Sequence, residues 1–293
     1  MSIDNGSILI PIGFSDQSII ALEQAFSLAK IKKSKVFLLS VIEEPSKIES
    51  LFLDDRSNEL QNKVNERLSS LSQKYAAKYK VSVEIMVAKG RIYEKIIDVA
   101  AMINADLIVM GTNGTPRGVF KRMIGSNAER VVRLAHCPVI TIKGKNHKNG
   151  CKNIILPLDL EKETKEKVKI AIEYAKYWNA TIRVVSVLLV DNQNIKDKLV
   201  RNLNQVDDFI KGSGLNCTAE LLEVDEKGKK LSSYILEYEK MFESDLILIM
   251  TRQEDVFSNK LGTSARQIIY QSDIPVMSIK PHIREDVPSP FTY

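Results

Sequence analysis

Gly111, Gly114 and the triplet Gly125-Ser126-Asn127 are the residues whose types and spacing could do chemistry in this sequence. They lie in GTNGTPRGVFKRMIGSNAER, directly after the apolar run DLIVM. Glycine has no side chain to hold a ligand off the backbone, and it tolerates positive φ. A helix opening at Ser126 would offer unpaired amides, partial positive charge and a hydroxyl, which together suit phosphate. The spacing is not that of a Walker loop, since no Gly-Lys-Ser/Thr occurs. Nor is it a dinucleotide fingerprint, which would follow the first strand. Arg117, Lys121 and Arg122 could neutralise phosphate, but a solvated loop or a partner contact explains them as well.

Other chemistry finds little support. His136, His147 and His282 lack metal-ligand spacing and accompany no nucleophile, so no catalytic or metal residue is assigned. Glu43 and Glu44 are adjacent, and adjacent side chains of an extended chain point apart. Cys137, Cys151 and Cys217 form an odd, scattered set that reads as free thiols in a reducing compartment. The net charge of +5, from 42 basic and 37 acidic residues, is mild, and no basic stripe with aromatics points to nucleic acid. The N-terminus lacks a signal-peptide pattern, and no apolar run approaches the roughly 18 residues of a membrane span. The expectation is a soluble cytoplasmic protein with neither nucleic-acid nor membrane partners.

The elements that would position the glycine loop occur twice. ILIPIGFS resembles IILPLDLE, ADLIVMG resembles SDLILIM, and GSNAERVVRLAHCPVITIK resembles GTSARQIIYQSDIPVMSIK. The polar stretch KGKNHKNGCKN between the copies reads as a linker. This divides the chain into 1–146, 147–283 and a tail, 284–293. In the first copy SILIPI is a strand, and Ser15 is a natural helix cap with Asp16 in the first turn. KVFLLSVI is a second strand, followed by a helix with Leu60, Val64, Leu68, Leu71 and Tyr75 on one face. VSVEIMVA, DLIVM and PVITIK complete five strands, with helices at 91–104 and 126–135. Gly90 reads as a tight turn, His136 as a helix-end cap and Trp178 as core. Residues 46–55 read as core packing, with a lid or an oligomer contact as the sharper alternative. Alternating strands and helices imply an α/β fold with a parallel sheet in each copy, binding ligands at its carboxyl edge.

DLIVMGTNG, GSNAERVV and CPVITIK, with the N-terminal PIGFS, resemble the universal stress proteins. The resemblance covers nearly all of the chain and makes it a tandem member. It implies two copies of a five-stranded, Rossmann-like sandwich of the adenine-nucleotide alpha-hydrolase type. It also implies pairing of 138–143 with 275–280 across a pseudo-twofold, so that one chain imitates the usual dimer; a further homodimer is compatible with this. One branch of the family binds ATP or AMP. Carried onto this chain, that site is Pro11, Gly13, Val41, Gly111, Gly114, Gly125, Ser126 and Asn127.

Both copies depart from the pattern. The family aspartate beside the nucleoside is Gly13 in the first copy, and the loop holds one residue more than the pattern. The second copy keeps the aspartate as Asp159, but Met250 and Gln253 replace the first two glycines; only Gly262-Thr263 remains. ATP or AMP is therefore expected in the first copy, weakened by Gly13, and none in the second, degenerate copy. The leading expectation is a non-enzymatic stress-response protein acting through binding. Two alternatives stay open: a slow ATP-hydrolysing switch in the first copy, and a protein-client module in the second.

Overall fold

A computed structural model describes residues 6–43, 56–112, 126–143, 150–159, 164–224, 229–251 and 261–281 of the chain. In the first half, β1 (Ser7–Pro11), α1 (Asp16–Lys32), β2 (Lys35–Ile42), α2 (Arg56–Tyr79) and β3 (Val83–Lys89) come first. They are followed by α3 (Ile92–Met102), β4 (Leu107–Gly111), α4 (Ser126–Leu134) and β5 (Val139–Ile142). The second half repeats the order with β6 (Asn153–Pro157), α5 (Thr164–Trp178), β7 (Thr181–Leu188), α6 (Gln193–Gly212) and β8 (Cys217–Glu223). It closes with α7 (Leu231–Met241), β9 (Leu246–Met250), α8 (Thr263–Gln271) and β10 (Val276–Ile279).

The strands form one sheet of ten in the order β3-β2-β1-β4-β5-β10-β9-β6-β7-β8. Within each half every pairing is parallel, as strand–helix–strand crossovers require. The halves join where β5 and β10 pair antiparallel, Ile140 opposite Met277. Thr141 reinforces the seam, its Oγ1 donating to the Val276 carbonyl at 3.2 Å. The expected pairing of the last strands is thus present within one chain.

Side chains alternate between two buried layers. Ile8 and Ile10 of β1 face one, with Leu22 and Phe26 of α1; Leu9 faces the other, with Ile96 of α3 and Val131 of α4. Ile154, Leu156 and Ile155 repeat the pattern in β6. On α2, Leu68 and Tyr75 are buried as their spacing predicts, whereas Leu60 is exposed and lies beyond the packed stretch of the helix.

The aspartate of each DL-I motif has a structural role. Asp106 accepts from the Ser7 amide at 2.7 Å, and Asp245 accepts from the Lys152 and Asn153 amides at 2.8 and 3.0 Å. Each ties the turn before one strand to the start of its parallel neighbour.

Candidate functional site

In the first half, the carboxyl ends of β1, β2 and β4 open into a cleft with the first turns of α1, α3 and α4 around it. Pro11, Gly13, Val41, Gly111, Thr112 and Asn127 are among its lining residues, and its volume is 130 Å³. This edge is where open parallel sheets bind ligands. The enclosed volume is well below the roughly 300–1,000 Å³ typical of small-molecule pockets.

Each wall follows from the local sequence. Ser15 caps α1: its Oγ accepts from the Ser18 amide at 3.3 Å, and the Ser18 hydroxyl donates to the Ser15 carbonyl at 2.8 Å. Asp16 sits in the first turn, where the helix dipole favours its charge. Between β1 and this cap, Phe14 takes a left-handed conformation, φ 56°, and its ring is covered by the Arg67 guanidinium at 4.4 Å. Thr112 is buried, with its amide donating to the Ile142 carbonyl at 2.9 Å, so the strand end is held in place.

Six of the eight site residues expected from the sequence lie in the described structure. Pro11, Gly13, Val41, Gly111 and Asn127 line the cleft together. Ser126 is exposed at the first residue of α4 and is not among the lining residues. Gly114 and Gly125 lie outside the described residues, as do Glu44, 46–55, Arg117, Lys121, Arg122, His147, Gln253 and His282.

The two described glycines differ in kind. A β carbon on Gly13 would meet nothing within 4 Å, so the cleft beside it has room for a side chain or a ligand atom. A β carbon on Gly111 would stand 2.9 Å from the Gln17 β carbon and 3.1 Å from the Gln17 carbonyl carbon. Gly111 therefore also has a packing role that the sequence reading did not include: it lets β4 pass close to α1. Gly90 is the expected turn, at φ 132°. His136 is exposed, and Trp178 is half-buried at the seam, packed against the core.

The equivalent place in the second half is built differently. Lys167 of α5, in register with Ala21 of α1, is buried, and its Nζ donates to the Pro157 carbonyl at 2.7 Å. Ser186 Oγ donates to the Leu158 carbonyl at 3.0 Å, and Asn202 Nδ2 to the Asp159 carbonyl at 3.1 Å. Three side chains thus pin consecutive carbonyls at the end of β6. Met250 stands where Gly111 does, and α5 has 15 residues against 17 in α1. The sequence reading found Met250 but missed Lys167, whose signal was a lysine on the buried face of an amphipathic helix.

Comparison with known sequences decides the family to which the two matched halves belong. The sequence model of the universal stress protein family matches residues 5–143 and again 150–280. The chain belongs to the universal stress protein family. Universal stress protein MJ0531 of Methanocaldococcus jannaschii is 32% identical over 146 residues, 46% of this chain and 81% of that protein. Universal stress protein YxiE of Bacillus subtilis is 30% identical over 146 residues, 46% of this chain and 97% of that one. The crystal structure of a universal stress protein from Archaeoglobus fulgidus shares the tandem fold, with a TM-score of 0.76 at 20% identity over 95% of this chain and 99% of that one. This universal-stress architecture, with its Rossmann-like parallel sheets, accounts for both halves. Among the described residues no helix is long and apolar enough to cross a membrane.

Proposed function

We propose that this universal stress protein is a non-enzymatic regulatory binding protein that takes ATP or AMP at the carboxyl-edge cleft of its first half and no nucleotide in its second. The observation that carries this reading is the asymmetry of the two edges. The first is an open cleft with free space at Gly13. The second has Lys167, Ser186 and Asn202 bonded across the end of β6.

The residues of the first half fit a nucleotide in parts. Val41 and Pro11 offer apolar surface to a base, and Asn127 offers an amide from the opening turn of α4. The start of α4 brings a helix N-terminus to the same edge, suited to phosphate. Gly13 supplies no carboxylate for a ribose hydroxyl. A hydrogen bond to a charged group contributes about 1.5–3 kcal/mol, so its absence weakens binding by roughly 10- to 150-fold. Nucleotide binding of this kind reports cellular nucleotide level without turnover.

Calorimetric titration with ATP tests the reading. Saturable binding in the micromolar-to-millimolar range, lost on Gly114→Val, is the expected result. No heat at millimolar ATP overturns it.

A further inference from the structure

A second cavity, of 460 Å³, lies on the seam between the halves, away from the carboxyl-edge cleft. Ala25 and Leu28 of α1 and Ile140 of β5 form its apolar wall. Trp178, at the end of α5, stands on another side, and the turns entering β9 and β10 bring Ser244 and Asp273. Its volume falls within the range of small-molecule sites, roughly 300–1,000 Å³.

The cavity arises from a break in the pseudo-twofold symmetry. Aligning β1–α1–β2 with β6–α5–β7 pairs Leu28 with Tyr174 and Lys32 with Trp178. In the opposite half-seam, Tyr174 is buried, and its phenol lies within electrostatic reach of Asp106, the counterpart of Asp245. Lys32 Nζ lies 5.0 and 4.9 Å from the centroids of the Tyr174 and Tyr177 rings, and 3.6 Å from the Glu173 carboxylate. That space is therefore filled by a phenol ring and an alkylammonium, both supplied by the chain. At the seam cavity the shorter Leu28 leaves the ring's place vacant, and Trp178 offers an aromatic face where Lys32 had stood.

The charge of the lining identifies the occupant. Among the described residues, the charged lining side chains are Glu243, Asp245 and Asp273, all acidic. That charge favours a cation and disfavours phosphates and carboxylates.

We propose that the seam cavity binds a small aromatic amine, its ring beside Trp178 in the space that Tyr174 fills across the pseudo-twofold, its ammonium meeting the Asp273 carboxylate. Such a ligand touches α1 and β5 of one half, and α5 and the β9 and β10 turns of the other. It clamps the two halves together and stabilises the assembled chain by mass action.

Trp178 is the only tryptophan in the sequence, so its emission reads this cavity directly. The probe is tyramine, excited where only tryptophan absorbs, with 3-(4-hydroxyphenyl)propionate as its anionic counterpart. The expected result is a saturable tyramine response on the full chain and at least tenfold weaker binding of the acid. Leu28→Tyr, which copies Tyr174 into the cavity, should lose tyramine binding at least tenfold while unfolding at an equal or higher temperature. Asp273→Asn should weaken it several-fold and narrow the amine–acid difference. A wild-type protein with no saturable response at millimolar tyramine, or one that binds the acid equally well, overturns the proposal. So does a folded Leu28→Tyr that still binds. If Leu28→Tyr does not fold, the amine–acid comparison and Asp273→Asn decide the matter on proteins that do.

Discussion

Gly111 and Gln17 meet with no room between them: a β carbon on the glycine would stand 2.9 Å from the Gln17 β carbon, with the Ser18 amide nitrogen 3.2 Å away. The near atoms include α1 backbone, which cannot swing aside as a side chain can. The end of β4 and the start of α1 thus fix each other, and with them the mouth of the cleft. Gly111→Val is expected to lower stability by about 1–3 kcal/mol through overpacking. Urea unfolding measures this, and an unchanged midpoint would show that α1 yields freely.

Lys167 closes the second half's edge by bonding the Pro157 carbonyl at 2.7 Å. Lys167→Ala removes a buried charge-assisted bond and the packing of the stem, and is expected to cost about 1–3 kcal/mol. Chemical denaturation reads the loss. The same variant should gain no affinity for ATP, because Met250 still occupies the place of Gly111.

Glu239 is buried, its Oε1 accepting from the Asp273 amide at 3.1 Å and its Oε2 without a partner. Burial is the main cause that raises its pKa above the ordinary carboxylate value. The folded state therefore holds this proton to higher pH than the unfolded chain does. Stability falls as pH rises from the unfolded value, about 4.3, through the raised folded one. Glu239→Gln keeps a carbonyl acceptor and removes the charge. Its melting temperature should exceed that of the wild type near neutrality, and the difference should shrink in acid. A difference that stays constant across pH would contradict the burial argument.

Much of this architecture was legible in the sequence because period and position carry it. Ile8, Leu9 and Ile10 alternate between layers as a strand must, Ser15 caps α1, and the matched PVITIK and PVMSIK segments pair at the seam. Pro11, Gly13, Val41 and Asn127 were named through the family resemblance, and the strand and helix ends bring them to one cleft. The close approach of Gly111 to α1 was not legible, since only the tertiary fold reveals which backbone passes over it. Lys167 was missed, because only its register with Ala21 of α1 shows that it lies on the buried face of α5. The seam cavity depends on the size difference between Leu28 and Tyr174, equivalent residues 146 positions apart whose places at the seam exist only through the pairing of β5 with β10.

The central claim is that the first half holds a nucleotide site whose missing element is the carboxylate at position 13. Gly13 has space for a side chain and no positive-φ conformation to forbid one. The most direct measurement is calorimetric titration of ATP into the wild type and Gly13→Asp side by side. The account predicts binding to both, tightened roughly 10- to 150-fold by the aspartate, the value of one hydrogen bond to a charged group. Equal affinity in the two proteins, or no binding to either, would contradict it.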